Sequence, residues 1–410
     1  MPRQEFSERT RRVSVSPTQR VTQEADLLRR QGIDVVDLGP GEPDFATPEH
    51  IKDAAKAALD RNFTKYTQNA GIPELREAIC ARYECDDSVT FSPDNVIVSA
   101  GGKQALFNVA MAILERDDEA ITHAPGWATI VDQVKLAEAR PVVVRTHADD
   151  AFRVRGDAVL DALTPRTRMI VVNSPGNPTG GLISEEDLRM IAVAAQARDI
   201  WVVLDLCYDH LIYDTAPHNL PAVLNEVMPE RSVLVGSLSK TYAMTGWRCG
   251  WAVGPRRLIA VCNNIQSHCT SNASSVSQHA GVAALTESQA CVTTMTDEYR
   301  TRRDTLLEWL SREPRIRCSV PAGAFYLFPD ISELLSPATL RTSLAFATQL
   351  LRRGHVAVTA GEAFDAPGFL RLSYATSLHR LREGVDRITA FVDELDQGRI
   401  VEENGAPLMS

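Results

Sequence analysis

Ser237-Leu238-Ser239-Lys240-Thr241-Tyr242-Ala243-Met244-Thr245-Gly246-Trp247-Arg248-Cys249-Gly250 follows directly on an apolar run, Ser232-Val233-Leu234-Val235-Gly236, that reads as a strand. The stretch sets a lone lysine at the mouth of a strand, with two serines just before it and an arginine and glycines after it. An amine so placed is a candidate nucleophile of the kind that forms a Schiff base with a carbonyl compound. The hydroxyls and the planar fork of Arg248 could hold a dianionic phosphate. A surface lysine beside a solvated arginine fits the segment equally well, so the rest of the chain decides.

Outward from this stretch the pattern is strand and helix in alternation. Val96-Ile97-Val98-Ser99-Ala100, Glu119-Ala120-Ile121-Thr122, Arg140 to Val144, Thr167 to Asn173, Ile200 to Asp205 and Gly250 to Gly254 all read as strands. Helices fall between them, such as Lys103 to Leu114 and one opened by Ser184 as cap with Asp187 in the third position. Apolar strands alternating with helices mean a mostly parallel α/β sheet covered on both faces, with ligands outside the carboxyl ends of its strands. Upstream, residues 1–20 read as an irregular arm, Val21 to Arg30 as a helix, and Pro48 to Arg61 as a helix capped by Thr47. Downstream, a helix from Ala290 to Glu313 leads to a smaller α/β unit. Its strands are expected at Ile316 to Val320, Ala324 to Phe328, Val356 to Val358 and Phe369 to Tyr374, with helices near Leu340 to Arg353 and Leu381 to Asp396.

At 410 residues the chain exceeds one ordinary core, so two unequal domains are expected. A net charge of -10 leaves no basic excess for nucleic acid, and no run reaches the roughly 18 apolar residues of a membrane span. The eight cysteines form no CxxC pair and no metal-site spacing, so buried free thiols are expected and no metal. Residues 1–21 carry no apolar core for a secretory signal, which points to a cytoplasmic setting.

Candidate chemistry gathers at strand ends. Gly101-Gly102-Lys103 puts bare N–H groups and a lysine at a helix start, where phosphate binds readily, although the glycines could simply make a turn. It matches neither a dinucleotide fingerprint nor a P-loop. Asp205 closes an apolar run, and a carboxylate there could face a protonated pyridine nitrogen and strengthen an electron sink. Tyr208 and Asn177 could donate to a phenolic oxygen on such a ring and thereby lower the Schiff-base pKa. Trp127 offers a flat face for stacking. Arg371, in Leu370-Arg371-Leu372, suits a bidentate clamp on a carboxylate or an internal salt bridge. Tyr66 reads, on its own, as a packed surface aromatic.

Residues 10–395 resemble the class I/II aminotransferases of the fold-type I pyridoxal phosphate enzymes, and most of all the bacterial aspartate aminotransferase-like branch. The resemblance is carried by GPGEPDF at 39–45, KYTQNAGIPELREAI at 65–79, SAGGKQALFN at 99–108, NSPGNPTG at 173–180, DLCY at 205–208, SLSKTYAMTGWRCG at 237–250 and RLSYAT at 371–376. It implies a large domain at 48–288 with a mostly parallel seven-stranded sheet, a smaller α/β domain at 289–396, an N-terminal segment at 1–47 that joins the smaller domain, and a tail at 397–410. The cofactor implied is pyridoxal 5′-phosphate on Lys240. Asp205 would pair with the pyridine nitrogen, Asn177 and Tyr208 would contact the phenolic oxygen, and Trp127 would stack on the ring. Gly102, Lys103, Ser237, Ser239 and Arg248 would surround the phosphate, with Tyr66 reaching it from the other subunit of a homodimer. Arg371, Asn177 and Gly41 would bind the α-carboxylate of the amino acid, and Trp127 would also border the substrate.

The implied reaction moves an amino group from an L-amino acid to a 2-oxo acid, with 2-oxoglutarate as acceptor. The chain departs from the branch at Leu206, where an acid is common, and at Gly126, where the stretch before the stacking aromatic is reduced. A basic residue before a proline in the N-terminal arm is also missing. Ser16-Pro17 stands there, with Gln19-Arg20 as a candidate substitute, and the side-chain pocket expected around Gln266 to Asn272 is unusual, with His268 as either a ligand contact or an interface residue. A donor that is aromatic or a specialised biosynthetic amino acid, or a lyase or oxidase reaction on the same scaffold, is therefore the alternative. A cofactor-binding regulator would need a DNA-binding domain for which the N-terminus has no room.

Overall fold

The structure is a computed structural model and describes residues 6–13, 17–214, 218–337 and 339–400, the side chains of residues 8 and 17–22 excepted. In chain order its strands are β1 (Val36–Asp37), β2 (Val96–Ser99), β3 (Glu119–Ala124), β4 (Arg140–Arg145), β5 (Thr167–Asn173), β6 (Trp201–Asp205), β7 (Ser232–Ser237), β8 (Gly250–Val253), β9 (Tyr326–Leu327), β10 (Val356–Ala357), β11 (Thr359–Ala360) and β12 (Leu370–Ser373). Two compact units divide the chain. One comprises Met1–Ser14, Phe45–Asp297 and Ala322–Ala324, the other Val15–Asp44, Glu298–Pro321 and Phe325–Ser410.

The first unit is built on a seven-stranded sheet of order β2-β8-β7-β6-β5-β3-β4. Only β8 runs antiparallel to its neighbours, β2 and β7. The strands are apolar on both faces because both are covered. Val96, Val98, Val172, Val202, Leu204 and Leu234 belong to one core cluster, while Ile97, Val171, Val203, Val233 and Val235 belong to another. That period of two sorts neighbouring side chains onto opposite faces. At Gly236 the sheet leaves no room for a side chain, since a Cβ there would lie 2.4 Å from the Trp251 ring.

In the second unit β1 pairs in parallel with β10, and β11-β12-β9 forms an antiparallel sheet. Phe346 and Phe391 meet edge to face at 5.1 Å, and Ala25, Val35, Leu351 and Ala357 form a small cluster. Arg380 and Arg387 both donate to the Asp34 carboxylate, tying the helix Leu378–Asp396 to the segment before β1.

Several expected elements differ. The arm at 1–20 contains helical turns at Glu8–Arg11 and the start of a helix at Pro17–Arg30, where proline's fixed φ suits a first turn. Thr47 caps nothing: its hydroxyl donates to the Ala243 carbonyl at 2.7 Å, and Pro48 takes the cap position. The strand expected at Ile316 to Val320 shrinks to a single bridge, Arg317 to Asp330. The helix expected at 340–353 is an α-helix over Ser343–Gln349 that widens into a π turn at Leu350–Gly354. The cysteines are all free, but Cys85 and Cys269 are exposed rather than buried, because each lies on the outer face of a helix end or loop. Among the described residues no helix is long and apolar enough to cross a membrane.

Candidate active site

Strand register places most of the candidate residues on one edge of the large sheet. Asn173, Asp205 and Ser237 end β5, β6 and β7, and Asn173 is the register partner of Asp205. Ser237 faces Gly250 at the start of β8, and Gly250 faces Ser99 at the end of β2. Because β8 alone is reversed, its N-terminus joins the carboxyl ends of the others. Gly101 to Lys103, Trp127, Asn177, Tyr208, Lys240 and Arg248 all lie within a few residues of those ends. This is the edge where ligands bind in such sheets.

One end of this edge is built for an anion. Gly101 sits at φ +85°, and a Cβ on it would lie 2.7 Å from Nη2 of Arg248, so the arginine fork rests against a bare backbone turn. Gly102 then opens a twelve-residue helix, Gly102–Ile113, whose first N–H groups point outward. The Ser237 hydroxyl lies 2.8 Å from that of Ser239 and caps the short helix Leu238–Thr241, which carries Lys240. Arg248 donates to the Thr245 carbonyl at 2.9 Å. The Lys103 amine is 4.9 Å from the Trp127 ring centroid; desolvation, then the nearby Arg248 charge, push its pKa down. Two cations crowded at a helix N-terminus favour a bound dianion.

Beside it, Asp205 is 3% exposed and accepts one hydrogen bond, from the Cys207 N–H at 3.1 Å. Burial pushes its carboxyl up to about 7, the Cys207 N–H opposes this, and the Asp209 charge adds to it. No described cation pairs with it. Asn177 and Tyr208 are also buried, and the Asn177 N–H donates to Oδ1 of Asn173 at 2.9 Å. Burial raises the Cys207 thiol to about 12, and the charges of Asp205 and Lys240, then Asp209 and Arg248, act on it to a lesser degree. His123 went unnoticed in the sequence because it sits inside a strand. It is buried, accepts from the Asn173 N–H at 3.3 Å and is held neutral, its pKa lowered to about 4 by desolvation.

The remaining candidates lie on other elements. Tyr66 is 91% exposed, on a loop held by Gln278, which accepts from the Ile72 N–H at 2.7 Å, and by Gln266, which donates to the Asn69 carbonyl. His268 is exposed at the end of the helix Arg256–Ser267. In the second unit Arg371 is 3% exposed on β12, donates to the Gly39 carbonyl at 2.6 Å, and lies between the Tyr326 and Phe364 rings at 4.5 and 5.0 Å. Gly41 is next to it: a Cβ there would come within 3.8 Å of both terminal guanidinium nitrogens. Ser16 and the side chains of Pro17, Gln19 and Arg20 lie outside the described residues.

The model of the family "Aminotransferase class I and II" matches residues 33–388. The chain belongs to the class I and II aminotransferases. It is 39% identical over 396 residues to the aspartate/prephenate aminotransferase of Nitrosomonas europaea, covering 94% of this chain and 99% of that one. It is also 39% identical to an aspartate aminotransferase of Rhizobium meliloti over 389 residues, 93% and 95% of the two chains. The solved structure of the Thermus thermophilus aspartate aminotransferase with maleate superposes with a TM-score of 0.90 at 40% identity, over 95% of this chain and all of that one. The aminotransferase is thus an enzyme with the fold-type I architecture, in a family that works with pyridoxal 5′-phosphate.

The residues present fit that cofactor. The Gly101 cradle under Arg248 suits its phosphate, and a buried carboxylate lacking a cation suits its protonated ring nitrogen. The second point has a testable sign. In the cofactor-free aminotransferase Asp205 holds its proton up to about pH 7, whereas an unfolded aspartate releases it near 3.8. Between those values the native state binds more protons than the unfolded one, so stability falls as pH rises, by roughly 4 kcal/mol at most. Asp205→Asn should therefore raise the Tm of the cofactor-free protein at pH 8 by more than at pH 5. Thermal melts of both forms at the two pH values check this; a gap that does not change with pH would contradict the burial of an unpaired charge.

Proposed function

We propose that the aminotransferase moves the amino group of L-aspartate to 2-oxoglutarate, using pyridoxal 5′-phosphate on Lys240. The observation that carries this reading is Asp205, a buried carboxylate without a cation at the same sheet edge as Lys240 and the anion cradle. The choice of donor follows the names of the relatives. When bound, the cofactor supplies an aldehyde for amino groups and a protonated ring that takes up the negative charge left at Cα.

The protein's own groups do the rest. Gly102, Ser237, Ser239, Arg248 and Lys103 hold the phosphate, and Tyr66 of a second copy completes that contact in a homodimer. Asp205 keeps the ring nitrogen protonated, because a buried carboxylate is stabilised by any cation brought to it. Asn177 and Tyr208 donate to the phenolic oxygen, and Trp127 stacks on the ring. Arg371 takes the α-carboxylate in its planar fork, with Asn177 and the backbone of Gly41. Lys240 Nζ would take the proton from Cα as base and pass it as acid to C4′ of the cofactor rather than back to Cα.

A screen of amino donors against 2-oxo acids, on purified cofactor-loaded protein, tests the proposal. Glutamate and oxaloacetate should accumulate in equal amounts from aspartate and 2-oxoglutarate. Ammonia, carbon dioxide or peroxide released without a second oxo acid would contradict it. Turnover confined to other donors would overturn the substrate assignment alone.

A further inference from the structure

Behind the sheet edge, on the helix Pro73–Asp87, Arg82 is buried with its charge facing inward. Its Nη2 pairs with Oδ2 of Asp209, and its Nε lies 3.5 Å from Oδ2 of Asp86. Asp209 follows Tyr208 directly. Its other oxygen accepts from the His210 N–H at 3.0 Å, while its own N–H donates to the Leu206 carbonyl at 3.2 Å. The turn that begins at Asp205 and carries Tyr208 is therefore anchored at its far end by one carboxylate, and that carboxylate is held by one arginine.

The same guanidinium faces a ring on its own helix and one on the strand β8. It lies 5.6 Å from the Tyr83 ring and 5.4 Å from the Trp251 ring, and Trp251 donates to the Tyr83 hydroxyl at 3.2 Å. Trp251 in turn covers Gly236, one residue before the segment Ser237 to Lys240. One buried cation thus touches the supports of both strand ends that carry the proposed chemistry. Leu206, at the position where an acid is common, carries no charge, and the carboxylate that pairs with Arg82 is that of Asp209.

We propose that Arg82 is a positioning residue for the cofactor ring, fixing the Tyr208 phenol through Asp209 and bracing the Lys240 segment through Tyr83 and Trp251. The proposal rests on the pyridoxal phosphate reading. The groups that face the pair are Asp86, Asp87 and His210, together with Tyr83 and Tyr242; the field of Arg82 and Asp209 reaches both phenols. Removing Arg82 alone would leave the partly buried Asp209 charge without its partner and could destabilise the protein. The informative variant is Arg82→Met with Asp209→Asn, which removes both charges together, with Arg82→Lys as the conservative comparison.

The experiment is a pH titration of the visible absorbance of the cofactor bound at Lys240, with thermal melts alongside. A well-placed Tyr208 donor favours the unprotonated chromophore, so its loss raises the midpoint. Arg82→Met/Asp209→Asn should raise the midpoint by about one pH unit, a tenfold change in the protonation equilibrium. Adding Tyr208→Phe should then raise it little further, because the two changes remove one interaction. Arg82→Lys should keep most of the wild-type value. A variant with lowered Tm and an unmoved midpoint would overturn the proposal, as would full additivity with Tyr208→Phe. A wild-type protein without any cofactor absorbance would overturn the cofactor reading instead.

Discussion

Lys240→Ala should lower kcat for transamination by more than roughly 10⁴-fold, beyond the 10²–10⁴ of an ordinary proton-transfer group. Two functions are lost together at one side chain. On the proposed reading the amine would no longer carry the cofactor, and no base would remain to move the Cα proton. The cradle of Gly102, Ser237, Ser239 and Arg248 is untouched by the change, so cofactor affinity should fall far less than kcat. Lys240→Arg should fare no better, since a guanidinium is neither a nucleophile nor a base at neutral pH. Single-turnover kinetics on the cofactor-loaded variants check the point. A loss below about 10²-fold would remove Lys240 from the reaction.

Arg371 should control substrate capture rather than the proton step. A charge-assisted, two-point contact to a carboxylate is worth about 1.5–3 kcal/mol, so Arg371→Leu should raise KM for every amino donor by roughly 10- to 150-fold. Arg371→Lys should recover only part of this, because it keeps the charge and loses the fork. The increase should be similar for all donors, as the α-carboxylate is common to them. Some stability is also lost, since Arg371→Leu leaves the Gly39 carbonyl without its 2.6 Å donor. Steady-state kinetics with aspartate and with a donor lacking a second carboxylate separate the two effects. An unchanged KM in a folded variant would assign Arg371 to structure alone.

The large sheet was legible because a strand buried on both faces has to be apolar throughout. The runs Thr167 to Asn173, Ile200 to Asp205 and Ser232 to Gly236 admit little else. The candidate groups were legible because each is a polar residue placed just past such a run. The direction of β8 was not, since Gly250 to Val253 reads the same either way and its reversal depends on pairing with β2 and β7. His123 and Arg82 escaped notice for a related reason. Inside a strand or helix each looks ordinary, and only Asn173 or Asp209, distant in sequence, gives it a task. Thr47 shows local reasoning overruled: a sound cap candidate is drawn away by the carbonyl of Ala243 and the Trp247 indole. In the second unit the strands are short, two residues each at β9, β10 and β11, and apolar stretches there promise more sheet than forms.

The most direct measurement is borohydride reduction of the native aminotransferase, followed by peptide mapping by mass spectrometry. A single pyridoxyl group should appear on the peptide containing Lys240, with the absorbance of the bound cofactor lost in step. A label on another lysine, or none on protein purified with pyridoxal phosphate, would contradict the assignment of Lys240 as the amine on which the chemistry is built.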